Sequence, residues 1–297
     1  MVKLRVVGDS VNLRSEPSSA GGQSTVIAAI ARGELVDQEG PASRHPDWVK
    51  VRSANGTEGF MKRMLLCQND PGQPIDVPPN LLKAYNDAIV KATNDFDHVR
   101  YKLGEKNPNT GLVDCSGWIC FVNKLGFNAV NQAAGRQVFT SDILNMLNTH
   151  SDHQVSLPGY RVEQIISITD IDRLNFRPGL LIGVNFSDYN WERGQGRVFE
   201  IDHIVQTMQT GDGTLSVTQS SSSGDGVNRV RLGRRASEGA PGVGWLSSTS
   251  RQLETNRMHV IDIFRLANLT SSLSSEPQAD EGYPELADPD LSLAMPG

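Results

Sequence analysis

In LVDCSGWICF, residues 112–121, a cysteine stands between an acid and a Ser-Gly pair, and an apolar run follows at once. A thiolate attacks an acyl carbon and a thiol barely does, so a useful cysteine needs its pKa lowered. The segment reads as a helix that starts near Cys115 and stops at Gly126. The opening turn of a helix offers unpaired N–H groups and a dipole that favours negative charge. The same N–H groups can hold the oxyanion of an acyl-transfer intermediate. Asp114 is placed to cap this helix, although its charge beside the sulfur works against a low pKa. Gly117 lets a substrate or a neighbouring chain pass close. Trp118, Ile119, Val122 and Leu125 share the stripe of Cys115, and Cys120 is turned roughly 140° away. That stripe is where a site against a sheet forms, and equally where a structural cysteine is buried. These residues alone leave both readings open for Cys115. Cys67 and Cys120 read as structural.

A cysteine of this kind needs a base. Six histidines compete, and His203 stands out by its surroundings. EIDHIVQTM and TLSVTQSSS flank QTGDGT, a Gly-Asp-Gly turn that reads as a hairpin. A five-residue loop, 209–213, pairs Met208 with Thr214 and places Gln219 directly across from His203. A polar acceptor there can hold the second ring N–H and select the tautomer. A loop one residue shorter puts Ser220 in that place. His259 has only Asp262 nearby, three residues on and on the opposite face of its strand.

The elements that must position these groups follow from pattern. Residues 1–68 read as short strands split by Gly, Pro, Asn and Ser, an all-β module. Residues 69–80, NDPGQPIDVPPN from Asn69, read as an extended linker. From 81 to 268 helices come first and strands after, an α+β domain with helices packed on an antiparallel sheet. Tyr85, Ile89, Ala92, Phe96 and Val99 form one apolar stripe on the first helix. SDILNMLNTH, from Ser141, reads as a further helix, and the stretch from Gly233 reads as a long loop. Residues 269–297 are rich in Ser, Pro and acid and read as a disordered tail.

Composition excludes several classes. The chain has 297 residues and a net charge of −6, but the last 27 carry six acids and no Lys or Arg. Without them 28 acids face 28 bases, so a nucleic-acid partner is not expected. No apolar run approaches the ~18 residues of a membrane span, so no membrane insertion is expected. Three cysteines make no disulfide framework, and no metal-binding or cofactor motif occurs. The N-terminus has no signal-peptide pattern. The expectation is delivery by a non-classical route, through specialised secretion or lysis, or a cytoplasmic role.

Taken together, the pieces resemble the NlpC-type cell-wall peptidases, papain-like cysteine enzymes that cut peptidoglycan stem peptides. YKLG, with Tyr101 and Gly104, resembles the family's opening Tyr-x-x-Gly, and DCSGW its nucleophile motif. RPGLLIGV resembles its Pro-Gly-Asp strand, with Leu180 in place of the acid. DHIVQTM resembles the histidine strand, and TQSSS the strand of the third polar residue, most often His in the family and here Gln219. VNLRSEP, Gly33, DWVKVR and NGTEGF resemble a bacterial SH3-like domain. The resemblance implies Cys115, His203 and Gln219 as the catalytic set, on a papain-like fold behind a small SH3-like barrel. It implies Asp114 and Ser116 as an anchor for a free L-Ala amine, with Tyr101 helping there or at the oxyanion. The bland alternative is that Asp114 and Ser116 cap the helix and Tyr101 packs. Peptidoglycan stems are the implied substrate, cut between γ-D-Glu and the diamino acid. An antibacterial effector with an immunity protein as partner, a phage-type lysin, a recycling enzyme and an inactive wall-binding protein are the settings weighed.

Overall fold

The computed structural model describes residues 2–6, 10–41, 45, 47–68, 76–140, 163–165, 176–186, 201–233, 244–254 and 257–267. The first seven strands are β1 (Val2–Val6), β2 (Ser10–Arg14), β3 (Val26–Ala31), β4 (Leu35–Pro41), β5 (Trp48–Ser53), β6 (Glu58–Lys62) and β7 (Leu66–Gln68). They enclose their own apolar cluster, with Val6, Leu13, Val51 and Met61 wholly buried. Helix α1 (Pro79–Asp95) follows, opened by proline where its missing N–H costs nothing. Short strands β8 (Arg100–Tyr101) and β9 (Leu112–Val113) pair in parallel ahead of α2 (Cys115–Ala134). Then come β10 (Glu163–Ile165), β11 (Leu180–Val184), β12 (His203–Gln209), β13 (Leu215–Ser221) and β14 (Gly226–Arg231). Short helices α3 (Trp245–Ser248) and α4 (Ser250–Glu254), strand β15 (Met258–Asp262) and the helical turn α5 (Ile263–Leu266) complete the described chain.

The architecture is mixed α/β. The sheet order is β14-β13-β12-β11-β15-β10-β7-β1-β4-β5-β6-β2-β3, antiparallel at every pairing except β10 with β7, which run parallel. Strands β11, β12, β13 and β15 are buried on both faces. Leu181, Ile204, Met208 and Ile261 face α1 and α2, and Leu180, Ile182, Val205 and Val260 pack with Trp245, Leu246 and Leu253 of α3 and α4. Continuous apolar runs such as LLIGV are what two-sided burial demands. Among the described residues no helix is long and apolar enough to cross a membrane.

Several local expectations change. α2 does not stop at Gly126 but runs on to Ala134, where Gly135 takes the left-handed conformation (φ +64°) that ends it. Gly126 instead lets α1 cross closely, since a Cβ there would lie 2.5 Å from the Tyr85 ring. Leu125, expected on the inner stripe, is 37% exposed, and Gly126 holds the inner position. α1 ends at Asp95, so Val99 is buried, and Phe96 partly buried, from the turn beyond it rather than from the helix. The region after Gly233 is not all loop: Trp245–Ser248 and Ser250–Glu254 are the two short helices that cover the second face. The helix expected from Ser141 and the bulk of the 69–80 linker lie outside the described residues.

His259 is wholly buried, and desolvation followed by the charge of Arg32 pushes its pKa down to about 3. The folded protein therefore keeps it neutral while the unfolded chain protonates it near pH 6.5. Stability is complete above that value and falls as pH drops towards 3. We expect this one group to cost about 2 kcal/mol at pH 4.5 relative to pH 7. His259→Phe should flatten the acid limb of the stability curve, measured by urea unfolding at each pH. Equal slopes in both proteins would refute the assignment.

Candidate active site

The site is built where the helix layer meets the end of the sheet. Cys115 opens α2, and Asp114 is its N-cap, its Oδ1 accepting from the Gly117 N–H at 2.8 Å. Polar ties lock α2 and its lead-in to β12 and β13. Trp118 Nε1 donates to Thr218 Oγ1 at 2.9 Å, Asn123 Nδ2 to Gln206 Oε1 at 3.2 Å, and Ser220 Oγ to Val113 O at 2.8 Å. Buried bonds of this kind fix the phase of a helix on a sheet better than apolar contact does.

β12 and β13 pair from Gln209↔Leu215 to Gln206↔Thr218. The loop between them is shorter than expected: Thr210 N–H donates to Thr214 O, and Gly213 turns at φ +82°. This shifts the register by two residues. Gln219 is thus not directly across from His203 but diagonal to it, on the same face, because a shift of two preserves the pleat. The two side chains still meet, His203 Nε2 lying 2.7 Å from Gln219 Oε1. Gln219 Nε2 in turn donates to Asn228 Oδ1 at 3.1 Å. Ser220 points to the other face and serves the Val113 carbonyl instead.

The Cys115 sulfur lies against the main chain on both sides of His203. It accepts from the Ile204 N–H and lies 3.9 Å from Asp202 O. With Nε2 committed to Gln219, His203 has Nδ1 left for other chemistry. The thiol is 1% exposed. Burial first, and then the Asp114 charge, push its pKa up to about 12, while the Ile204 N–H, Lys106 and the Ser116 N–H pull the other way. Burial pushes the His203 pKa down, and the Gln219 bond partly restores it. Both shifts favour a neutral thiol and a neutral imidazole. This differs from the thiolate that the helix terminus alone suggests, because desolvation outweighs the terminal N–H groups.

A cleft of about 530 Å³ opens at His203. Tyr101, Leu103, Phe186, Gln219 and Trp245 line it with His203, and Ser221, Ser248 and Thr249 add hydroxyls. Leu103 and Phe186 are exposed apolar side chains at this cleft, 58% and 38% accessible. Tyr101 reaches it because β8 pairs with β9 immediately before the nucleophile. Asp114 and Ser116 lie buried beside Cys115 and together hold an ammonium, that of Lys106, whose Nζ donates to Asp114 Oδ2 and Ser116 Oγ at 2.7 Å each. Lys106, Asn228, Asp202 and Trp245 were not anticipated. Lys106 sits in a polar loop and Trp245 in a Gly-rich stretch, where no spacing rule marks a role. Asn228 could have been found from alternation on β14 once the β13–β14 register (Gln219↔Asn228) is known. Among the described residues no cluster of His, Cys, Asp and Glu could hold a metal ion.

Gln219→Leu removes the bond that orients His203 and holds its pKa up. Should His203 serve as a general base, we expect turnover to fall by up to about 10²-fold, the lower end of what such a group contributes. The acid limb of the rate profile, already below pH 6.5 in the parent protein, should move lower still. An unchanged limb and rate would show that Gln219 only packs.

No protein-family model matches the chain, and no curated protein matches it. Solved structures similar to it include NlpC2 from Trichomonas vaginalis, at 14% identity and a TM-score of 0.25 over 77% of this chain and 66% of that one. NlpC1 from the same organism aligns at 15% identity and a TM-score of 0.25, over 77% and 63%. An NlpC/P60 family protein from Bacillus cereus aligns at 12% identity and a TM-score of 0.24, over 82% and 61%. The chain therefore spans less than two thirds of the length of each of these proteins.

Proposed function

We propose that this protein is a cysteine amidase or endopeptidase that cuts an amide bond of peptidoglycan stem peptides, between γ-D-Glu and the diamino acid. The observation that carries the reading is a cysteine at a helix start whose sulfur meets the strand backbone flanking a histidine that is itself bonded to Gln219. One imidazole nitrogen is held by Gln219 at 2.7 Å, and the sulfur is seated on the main chain flanking the same histidine. The substrate class rests on the ordered sequence pieces around Tyr101, Cys115, His203 and Gln219.

In the proposed reaction, the stem peptide enters the cleft and neutral His203 takes the thiol proton as sulfur attacks the carbonyl. The Cys115 N–H at the helix start helps to hold the oxyanion. The imidazolium then protonates the leaving amine, giving a thioester. Water, deprotonated by His203, releases the acid and restores the thiol. An amine of the substrate reaches Asp114 and Ser116 only by displacing Lys106. Residues 1–68 would act as an SH3-like module that binds the wall or shapes the cleft, ahead of a catalytic domain with a papain-like arrangement at 81–268.

Mass spectrometry of products from defined muropeptides tests this, with Cys115→Ala as control. Cleavage at another bond would correct the specificity, and cleavage by the alanine variant would overturn the mechanism. Toxicity on forced export to the periplasm, absent in the cytosol, would favour an effector with an immunity partner, or a lysin, over a recycling enzyme. One observation favours a second reading, a non-catalytic wall-binding protein: the thiol is almost wholly buried, with its pKa pushed up to about 12. A folded protein that cuts no muropeptide and takes no iodoacetamide at Cys115 would decide for it.

A further inference from the structure

We propose that Lys106 is a positioning residue for the nucleophile, its ammonium offsetting the carboxylate that stands next to Cys115. The proposal rests on the reading of Cys115 as the attacking group.

Asp114 and Ser116 are the residues immediately before and after Cys115, and both are buried. Among the described residues the Asp114 carboxylate accepts four hydrogen bonds, all local. Oδ1 accepts from Gly117 N–H at 2.8 Å and Ser116 Oγ at 3.1 Å, and Oδ2 from Gly104 N–H at 3.0 Å and Lys106 Nζ at 2.7 Å. Three of these donors are neutral and satisfy lone pairs without cancelling charge. Among the described residues Lys106 alone brings a full positive charge to it, from a side chain that still reaches solvent.

The loop does not need that ammonium merely to stay in place. Gly104 N–H already bonds Asp114, and Asp114 N–H bonds Glu105 O at 2.8 Å. The helix is also shaped to receive the loop: a Cβ at position 117 would lie 2.7 Å from Lys106 Cα and 2.9 Å from Glu105 O. What Lys106 adds is charge at a point where an uncompensated anion would resist formation of a second one on sulfur. The direction agrees, since Asp114 pushes the Cys115 thiol up and Lys106 pulls it down. Among the described residues the sulfur also meets the main-chain carbonyl of Asp202, whose carboxylate accepts from Phe186 N–H, and the adjacent His203 imidazole is bonded to Gln219.

The test is alkylation of the full chain by iodoacetamide between pH 6 and 10, with labelling at Cys115 read by mass spectrometry. Lys106→Met should displace the rate profile to higher pH and slow labelling at pH 8 by about three- to tenfold. Lys106→Arg should keep the parent profile. Asp114→Asn, which still caps a helix, should displace it the other way, and the double variant should return close to the parent. A folded Lys106→Met protein with the parent profile would overturn the proposal, leaving Lys106 a tie for the loop. Should that variant fail to fold, Asp114→Asn decides, and a profile that does not move to lower pH overturns it equally. A parent protein whose Cys115 takes no label at any pH would overturn the nucleophile reading itself, a result distinct from labelling that is insensitive to Lys106.

Discussion

Cys115→Ala is expected to lower the rate of stem-peptide cleavage by at least about 10³-fold, to a level set by binding and oxyanion contacts alone. The variant should remain folded. It loses one buried sulfur from a cluster that includes Trp118 and Ile119, a change worth about 1 kcal/mol, so its melting temperature should fall by only a few degrees. That separation of activity from stability makes the variant informative. Cys115→Ser should not rescue. A hydroxyl ionises far less readily than a thiol, and burial lowers the basicity of His203, the group that would have to deprotonate it. His203→Ala should cost a comparable factor if the two act as one unit, and the double variant should cost little more than either alone. Simple addition of the two losses would show that they act separately. The checks are single-turnover cleavage of a defined muropeptide and a thermal melt of each variant.

Gly126→Val is expected to destabilise the protein by about 3 kcal/mol, near the upper end of what overpacking a close contact costs. The first added carbon would lie 2.5 Å from the Tyr85 ring and 3.2 Å from Ile89 Cδ1. Tyr85 cannot give way easily. It is wholly buried, lies edge-on to Phe264 at 5.3 Å, and donates its hydroxyl to Asn123 Oδ1 at 2.6 Å. Relief must come from spreading α1 and α2, which breaks that bond and tilts the helix that carries Cys115 at its other end. A melting temperature lower by about 6–12 °C should therefore accompany a loss of activity. An unchanged melt would mean that the helices do not cross so closely.

The resting site holds its proton. In the proposed mechanism, with the thiol pushed up to about 12 and the imidazole pushed down, attack is coupled to proton transfer rather than started from a standing ion pair. The elements that set this state come from three parts of the chain: the loop with Lys106, the start of α2, and the β12–β13–β14 ladder. Leu180, where the resemblance anticipates an acid, is buried in the second apolar cluster beside Ile182 and Val205. An ionised side chain there would need a partner.

Residue order alone determined the helices-then-strands plan, the placement of Cys115 at a helix start, and the presence of His203 and Gln219 on one face. All three depend on local periodicity, and the last survives because a register error of two leaves the pleat unchanged. Tertiary structure decided the rest. Gly126 looks like a helix stop until a second helix is seen crossing it, and Gly126 then needs no Cβ for a packing reason rather than a conformational one. The Gly-rich stretch before Trp245 hides short helices because their stability comes from covering a sheet face, not from propensity. Lys106 meets Asp114 and Ser116 from eight and ten residues away, across a turn and a short strand, and no period links a loop cation to a helix cap. The balance on Cys115 likewise depends on how much water the fold removes from around the sulfur. A one-dimensional pattern can place a thiol at a helix terminus, but it does not contain that desolvation.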